Sequence, residues 1–83
     1  MYNLIFENPA EKFIKKLDKT EQVRLIKKIE GLRQHPDLGK PLVGTLVGLR
    51  SLRIGDYRVI YMIRQQELVI LILKIGHRKN VYN

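Results

Sequence analysis

The chain has 83 residues, with sixteen Lys/Arg against eight Asp/Glu, a net charge of +8 and a pI near 10.1. That length predicts one domain with a thin core, and the absence of cysteine excludes disulfides, thiolate chemistry and most structural zinc designs. With no basic-then-apolar leader and no apolar run of about 18 residues, a cytoplasmic, non-membrane protein is expected.

The charge is unevenly spread. Residues 1–47 carry nine Lys/Arg against six Asp/Glu, whereas residues 48–83 carry seven against two. A polyanion or an acidic protein is the natural partner of such a surface.

In chain order, Tyr2–Phe6 reads as a short strand. A helix then opens with Asn8 as expected N-cap, Pro9 at N1 and Glu11 at N3 of a capping box. Ala10, Phe13, Ile14 and Leu17 share one face at helical spacing, which leaves Lys12, Lys15 and Lys16 in water. A second helix is expected from Thr20 to Gln34, with Leu25, Ile26, Ile29 and Leu32 as its apolar stripe. The short Asp18–Thr20 connection predicts an antiparallel helix hairpin.

The segment HPDLGKPLVG holds two prolines and two glycines in ten residues and reads as irregular, with His35 a loop residue. Beyond it the apolar period shortens to that of strands. LRSLRI, YRVIYMI and LVILILKI, separated by Gly55-Asp56 and Gln65-Gln66-Glu67, predict an antiparallel meander. The expected fold is therefore α+β: an N-terminal strand and a two-helix hairpin packed on one face of a small, curved, mainly antiparallel sheet of three or four strands. Its expected core draws on Leu4, Phe6, Phe13, Ile14, Leu17, Leu25, Ile26, Ile29, Leu32, Val59, Tyr61, Leu71 and Leu73.

Turn geometry gathers the cations. A two-residue turn at Gly55-Asp56 sets Arg53 directly across from Arg58, an opposition of like charges that weakens a sheet unless compensated. A second two-residue turn at Gln65-Gln66 sets Arg58 opposite Leu73 with Lys74 one step away. The last strand then leaves through Gly76 and delivers His77, Arg78 and Lys79 to the same sheet end. Arg64, at the other end of its hairpin, is expected to be ordinary surface. Tyr57 and Tyr61 read as amphipathic core residues, while Tyr82, beyond the last strand, is a candidate for substrate contact.

Clustered arginines bind phosphate bidentately and keep their charge. A histidine and a tyrosine beside them add groups for proton transfer or stacking. The set suits RNA scission in which a 2′-hydroxyl attacks the adjacent phosphate and the 5′-oxygen leaves protonated. With no acidic cluster for two metal ions, the chemistry is expected to need no metal and no cofactor.

With these residues in view, the chain resembles the RelE/ParE toxin superfamily, and within it the RelE branch. The resemblance spans nearly all of the chain and rests most on LRSLRIGDYRVIYMI and KIGHRKNVY. It implies a toxin of a type II toxin–antitoxin pair: a ribosome-dependent, metal-independent endoribonuclease that cleaves mRNA in the ribosomal A site and inhibits translation. The implied partners are the ribosome and an acidic, RelB-like antitoxin, through which larger complexes assemble. By resemblance Arg58 and Arg78 match the family's phosphate-contacting arginines and Tyr82 its C-terminal tyrosine. His77 is a candidate acid–base group, with Arg50, Arg53, Lys74 and Lys79 in support.

The chain departs from the family pattern just upstream. Some relatives carry two lysines spaced by two on the strand occupied here by RSLR; Ser51 takes one of those positions, Arg53 remains basic, and Arg50 is off by one in strand phase. Two alternatives follow: a ParE-like inhibitor of DNA gyrase that cleaves no RNA, and a catalytically inactive, antitoxin-binding homologue.

Overall fold

The computed structural model describes residues 1–78. Two helices pack on one face of a five-stranded mixed sheet. The strands are β1 (Asn3–Phe6), β2 (Lys40–Pro41), β3 (Arg50–Ile54), β4 (Tyr57–Arg64) and β5 (Val69–His77), in spatial order β1-β5-β4-β3-β2. The helices are α1 (Asn8–Lys15) and α2 (Lys19–Glu30), and a 3₁₀ turn at Gly31–Arg33 continues the second. Among the described residues, no helix is long and apolar enough to cross a membrane.

The helix hairpin forms where the apolar spacing predicts it. Asp18 caps α2 by accepting from the Glu21 N–H at 2.9 Å, and Gln22 donates back to the Ile14 and Leu17 carbonyls at 2.9 and 3.1 Å. One side chain thus closes the C-terminal end of α1, whose last carbonyls would otherwise lack partners. At the other end, α1 begins one residue earlier than expected: Asn8 lies inside the helix, and Glu7 occupies the N-cap position without a side-chain hydrogen bond.

The sheet differs from the expected meander in three ways. It has five strands, because β1 pairs in parallel with β5 and the two-residue β2 pairs with the edge of β3. Gln65–Leu68 forms a four-residue connection in place of the two-residue Gln65-Gln66 turn, so Arg64 lies opposite Val69 rather than Glu67. Finally, the register shifts between Ile60, paired with Lys74, and Tyr61, paired with Ile72, which leaves Leu73 as an extra residue in β5. Such a bulge reverses the side-chain alternation of the strand that carries it.

The bulge explains the core. Ile70 and Ile72 before it, and Ile75 after it, are all buried in one cluster with Leu25, Ile29, Val59 and Tyr61. Leu71 and Leu73, expected in that core, are only half-buried, since neither shares the phase of Ile70, Ile72 and Ile75. Ile26 is likewise corrected: it is 37% exposed, at the margin of the helix face.

At the far edge the chain wraps from the helix side onto the sheet. The buried Tyr61 hydroxyl donates to the Pro36 carbonyl at 2.6 Å and accepts from the Gly39 N–H at 2.8 Å. Its cross-strand partner Arg50 donates to the Gly39 carbonyl through Nε at 3.0 Å and Nη2 at 2.8 Å, and to the Asp37 carbonyl at 3.3 Å. Gly39 is therefore held at both its N–H and its C=O. A Cβ there would stand 2.7 Å from the Tyr61 ring and 2.9 Å from the Ser51 carbonyl oxygen, too close for any side chain.

Two substitutions measure this clamp. Tyr61→Phe should lower stability to urea by about 1–3 kcal/mol, the usual cost of leaving a buried amide unmet. Gly39→Ala should lower it further, because a backbone carbonyl is among the atoms that must move. Equilibrium unfolding monitored by circular dichroism gives both values.

Candidate functional site

The face of the sheet turned away from the helices carries two adjacent rows of side chains. Arg53, Arg58 and Gly76 form one row across β3, β4 and β5. Lys40, Ser51, Ile60 and Lys74 form the next, across β2 to β5. Directly paired residues lie about 5 Å apart and the neighbouring row about 7 Å away, so four cations surround one patch of sheet. Gly76 adds no side chain to it.

The pairing of Arg53 with Arg58 follows the sequence expectation. Gly55 has φ +58° and Asp56 has no positive φ, the pattern of a type II′ turn with glycine first. That turn fits the right-handed twist of the strands and fixes the register locally. Between β2, β3 and β4 lies a cleft of about 490 Å³ lined by Leu38, Lys40, Leu42, Ser51, Arg53 and Arg58 among others, with no carboxylate in its lining. Such a surface attracts anions, and its opposed guanidiniums match the geometry of a phosphate.

Two expected members of this group lie elsewhere. Arg50 pairs with Tyr61 and spends its guanidinium on the Asp37 and Gly39 carbonyls; it is one strand step out of phase with Arg53 and braces the cleft wall from behind. His77 pairs with Tyr57, with ring centroids 5.4 Å apart. Phe13 of α1 meets both rings edge-on, at 5.7 Å from Tyr57 and 6.2 Å from His77. His77 therefore belongs to the helix face, opposite Arg58, and not to the cationic group. The bulge is the cause, because it moves β5 out of the phase expected for Arg58 opposite Leu73.

Arg78 is exposed, and its N–H donates to the Asp56 carbonyl at 3.0 Å. That bond extends the β4–β5 register one step past His77, so alternation assigns Arg78 to the Arg58 side. Arg64 is exposed at the other end of β4, with Glu67 at 3.7 Å. Lys79 and Tyr82 lie outside the described residues. Lys40 was not legible as a cleft residue: it stands in an irregular segment, and only pairing with Ser51 brings it to the cationic face.

Tyr57 links the site's rear to the helices. Burial raises its phenol pKa, helped by the charge of Glu21, a hydrogen bond to that carboxylate, and the charges of Asp18 and Asp56. The ring thus remains a neutral donor while touching α1, α2 and the end of β5.

The geometry has close counterparts among known proteins. The family described as ParE toxin of type II toxin–antitoxin system, parDE, matches residues 4–82. This chain belongs to that family. Toxin RelG of Mycobacterium tuberculosis is 40% identical over 45 residues, which are 54% of this chain and 52% of RelG; the chain spans about half the length of the curated relatives it matches. The toxin–antitoxin complex RelBE2 of M. tuberculosis contains a chain that superposes with a TM-score of 0.84 at 30% identity, covering 93% of this chain and 98% of that one. In the archaeal RelE–RelB complex of Pyrococcus horikoshii OT3 the corresponding values are 0.76 and 28%, with 96% and 98% covered. The two-helix, five-strand arrangement is that of the RelE structures.

The environment of Tyr57 has a pH signature. A phenol whose folded pKa is raised contributes stability below its unfolded value of about 10, and that contribution is lost as pH rises through the folded pKa. Ultraviolet titration of the wild type minus Tyr57→Phe should therefore show a phenol ionising above about 10. Wild-type stability relative to Tyr57→Phe should fall on raising the pH through that range.

Proposed function

We propose that this ParE-family chain is a ribosome-dependent endoribonuclease that cleaves mRNA in the ribosomal A site, acting in the cytoplasm as the toxin of its pair. The observation that carries the reading is the Arg53–Arg58 pair on an open sheet face, flanked by Lys40 and Lys74. Opposed like charges weaken a sheet unless a ligand or counter-charge compensates them, and a bridging phosphate does so. The names of the relatives, Toxin RelG and Toxin RelE, support the same branch.

In this reading Arg58 and Arg78 bind the scissile phosphate and stabilise the charge that gathers on it as the 2′-oxygen attacks. Arg53 and Lys74 extend the cationic field along the RNA, and Lys79 follows them. Tyr82 stacks on the reacting nucleotide. His77 holds the exit of β5 through Tyr57 and Phe13, so its part is to orient Arg78 rather than to move a proton. Neither a metal nor another cofactor enters the scheme.

The partner that restrains the toxin is an acidic, RelB-like antitoxin, the class of complex named for the M. tuberculosis and P. horikoshii relatives. Its carboxylates would oppose the +8 charge, and apolar contacts would supply the packed centre that tight complexes need. A second reading is favoured by the family description itself, which names ParE: inhibition of DNA gyrase by the same basic surface without RNA cleavage.

Single-turnover assays on ribosomes with an exposed A-site codon separate these readings. Arg58→Ala should keep its fold and ribosome binding while cleaving about 10²-fold more slowly, the scale of losing one strong transition-state donor. His77→Phe should retain most activity with an unchanged pH–rate profile, because an aromatic ring still fills the cluster. A wild type that cleaves nothing but blocks gyrase supercoiling would establish the second reading instead.

A further inference from the structure

Gly76 stands within the cationic face and brings no side chain to it. It pairs directly with Arg58 across the β4–β5 ladder. On its own strand Lys74 precedes it by two residues and Arg78 follows it by two, so alternation assigns both to the same face. Two residues of strand span about 7 Å, a gap that long side chains close. Three cations therefore border one short stretch of bare backbone, Arg58 across from it and Lys74 and Arg78 on its flanks. The two arginines placed on the scissile phosphate have Gly76 between them.

The local fold does not call for glycine at this point. The turn residue Gly55 has φ +58°, whereas Gly76 has no positive φ. It lies in a regular stretch of ladder, between the pairs Val59–Ile75 and Tyr57–His77, and the bulge comes three residues earlier at Leu73. A strand interior is weaker with glycine than with a residue that carries a side chain. Strand glycines recur where a bulge or bend forms, or where a ligand or another backbone comes close. With three cations around Gly76, the approach of an anion is the reason that its surroundings support. The bulge completes the arrangement, because the phase change at Leu73 turns Lys74 and Gly76 away from the helices while Ile75 stays in the core.

Resting on the endoribonuclease reading, we infer that Gly76 is a positioning residue, on whose bare backbone the scissile phosphate of the RNA is seated. With no Cβ there, the phosphate settles low enough against β5 for Arg58 and Arg78 to grip it from two sides, while Lys74 adds charge at the third. A methyl group at this position projects from the sheet into the seat and raises the phosphate. The guanidiniums, anchored on β4 and at the end of β5, then meet it out of line, and a misplacement of about 1 Å can slow a reaction about 10²-fold. Gly76 moves no proton and supplies no charge; it sets the depth at which the phosphate lies.

The test compares wild type, Gly76→Ala and Gly76→Val by urea unfolding and by single-turnover cleavage over a range of concentrations of ribosomes with an exposed A-site codon. Alanine and valine both suit a strand better than glycine does, so neither variant should unfold at lower urea than the wild type. The saturating cleavage rate should nonetheless fall about 10²-fold in Gly76→Ala and further in Gly76→Val. The ribosome concentration giving half the maximal rate should stay unchanged, because the wider basic surface is intact. A wild-type saturating rate in Gly76→Ala overturns the inference. So does a lowered stability in both variants, which marks a glycine that the fold itself requires, and so does a shifted half-saturation at an unchanged maximal rate, which marks a docking role. Each of these leaves the endoribonuclease reading standing; a wild type that cleaves no mRNA overturns that reading and the Gly76 inference together.

Discussion

One extra residue in β5, an interior strand of the sheet, governs how this molecule divides its two faces. β5 must pair with β1 on one side and β4 on the other, and an uninterrupted alternation would bury either Ile70 and Ile72 or Ile75, but not all three. The bulge at Leu73 changes the phase between them. All three isoleucines then enter the core, while Lys74 and Gly76 turn to the open face beside Ile60 and Arg58. A packing requirement of the hydrophobic core thereby sets the composition of the cationic surface.

That surface sets like charges side by side in the fold that carries it. Arg53 and Arg58 are directly paired, at a separation where like charges destabilise a sheet, in a domain whose size limits its core. The opposing forces lie behind it. Val59 and Tyr61 pack on Leu25 and Ile29, and the Gly55 turn holds the hairpin in its register. Local conflict of this kind is expected at functional sites, and membership of a toxin family agrees with it.

The edge of the sheet shows a different economy of parts. Tyr61 and Arg50 are a cross-strand pair, and together they bind Gly39 at both of its backbone groups. One pair therefore satisfies polar groups of an irregular segment, anchors the short edge strand β2, and sets the cleft wall that carries Lys40. Arginine suits this role because its fork reaches neighbouring carbonyls from one rigid plane. The same chemistry that makes an arginine a phosphate ligand here makes Arg50 a brace.

Much of this was legible in the residues themselves. Helical spacing announced α1 and α2, and Gly55-Asp56 fixed the Arg53–Arg58 pair. In each case the relevant contacts lie within a few residues, so local conformational preference decides them. The fate of β5 was different. LVILILKI is apolar in both phases, and the choice between them comes from simultaneous pairing with two distant strands, one parallel and one antiparallel. His77 went to the helix face, and Leu71 and Leu73 left the core, for that reason. Likewise β2 has only two residues, too few to write a period, so Lys40 joined the cationic row through a bond pattern that exists only once Tyr61, Arg50 and Gly39 have met. Turns and helices are settled by neighbours in sequence; the face on which a strand residue emerges is settled by its neighbours in space.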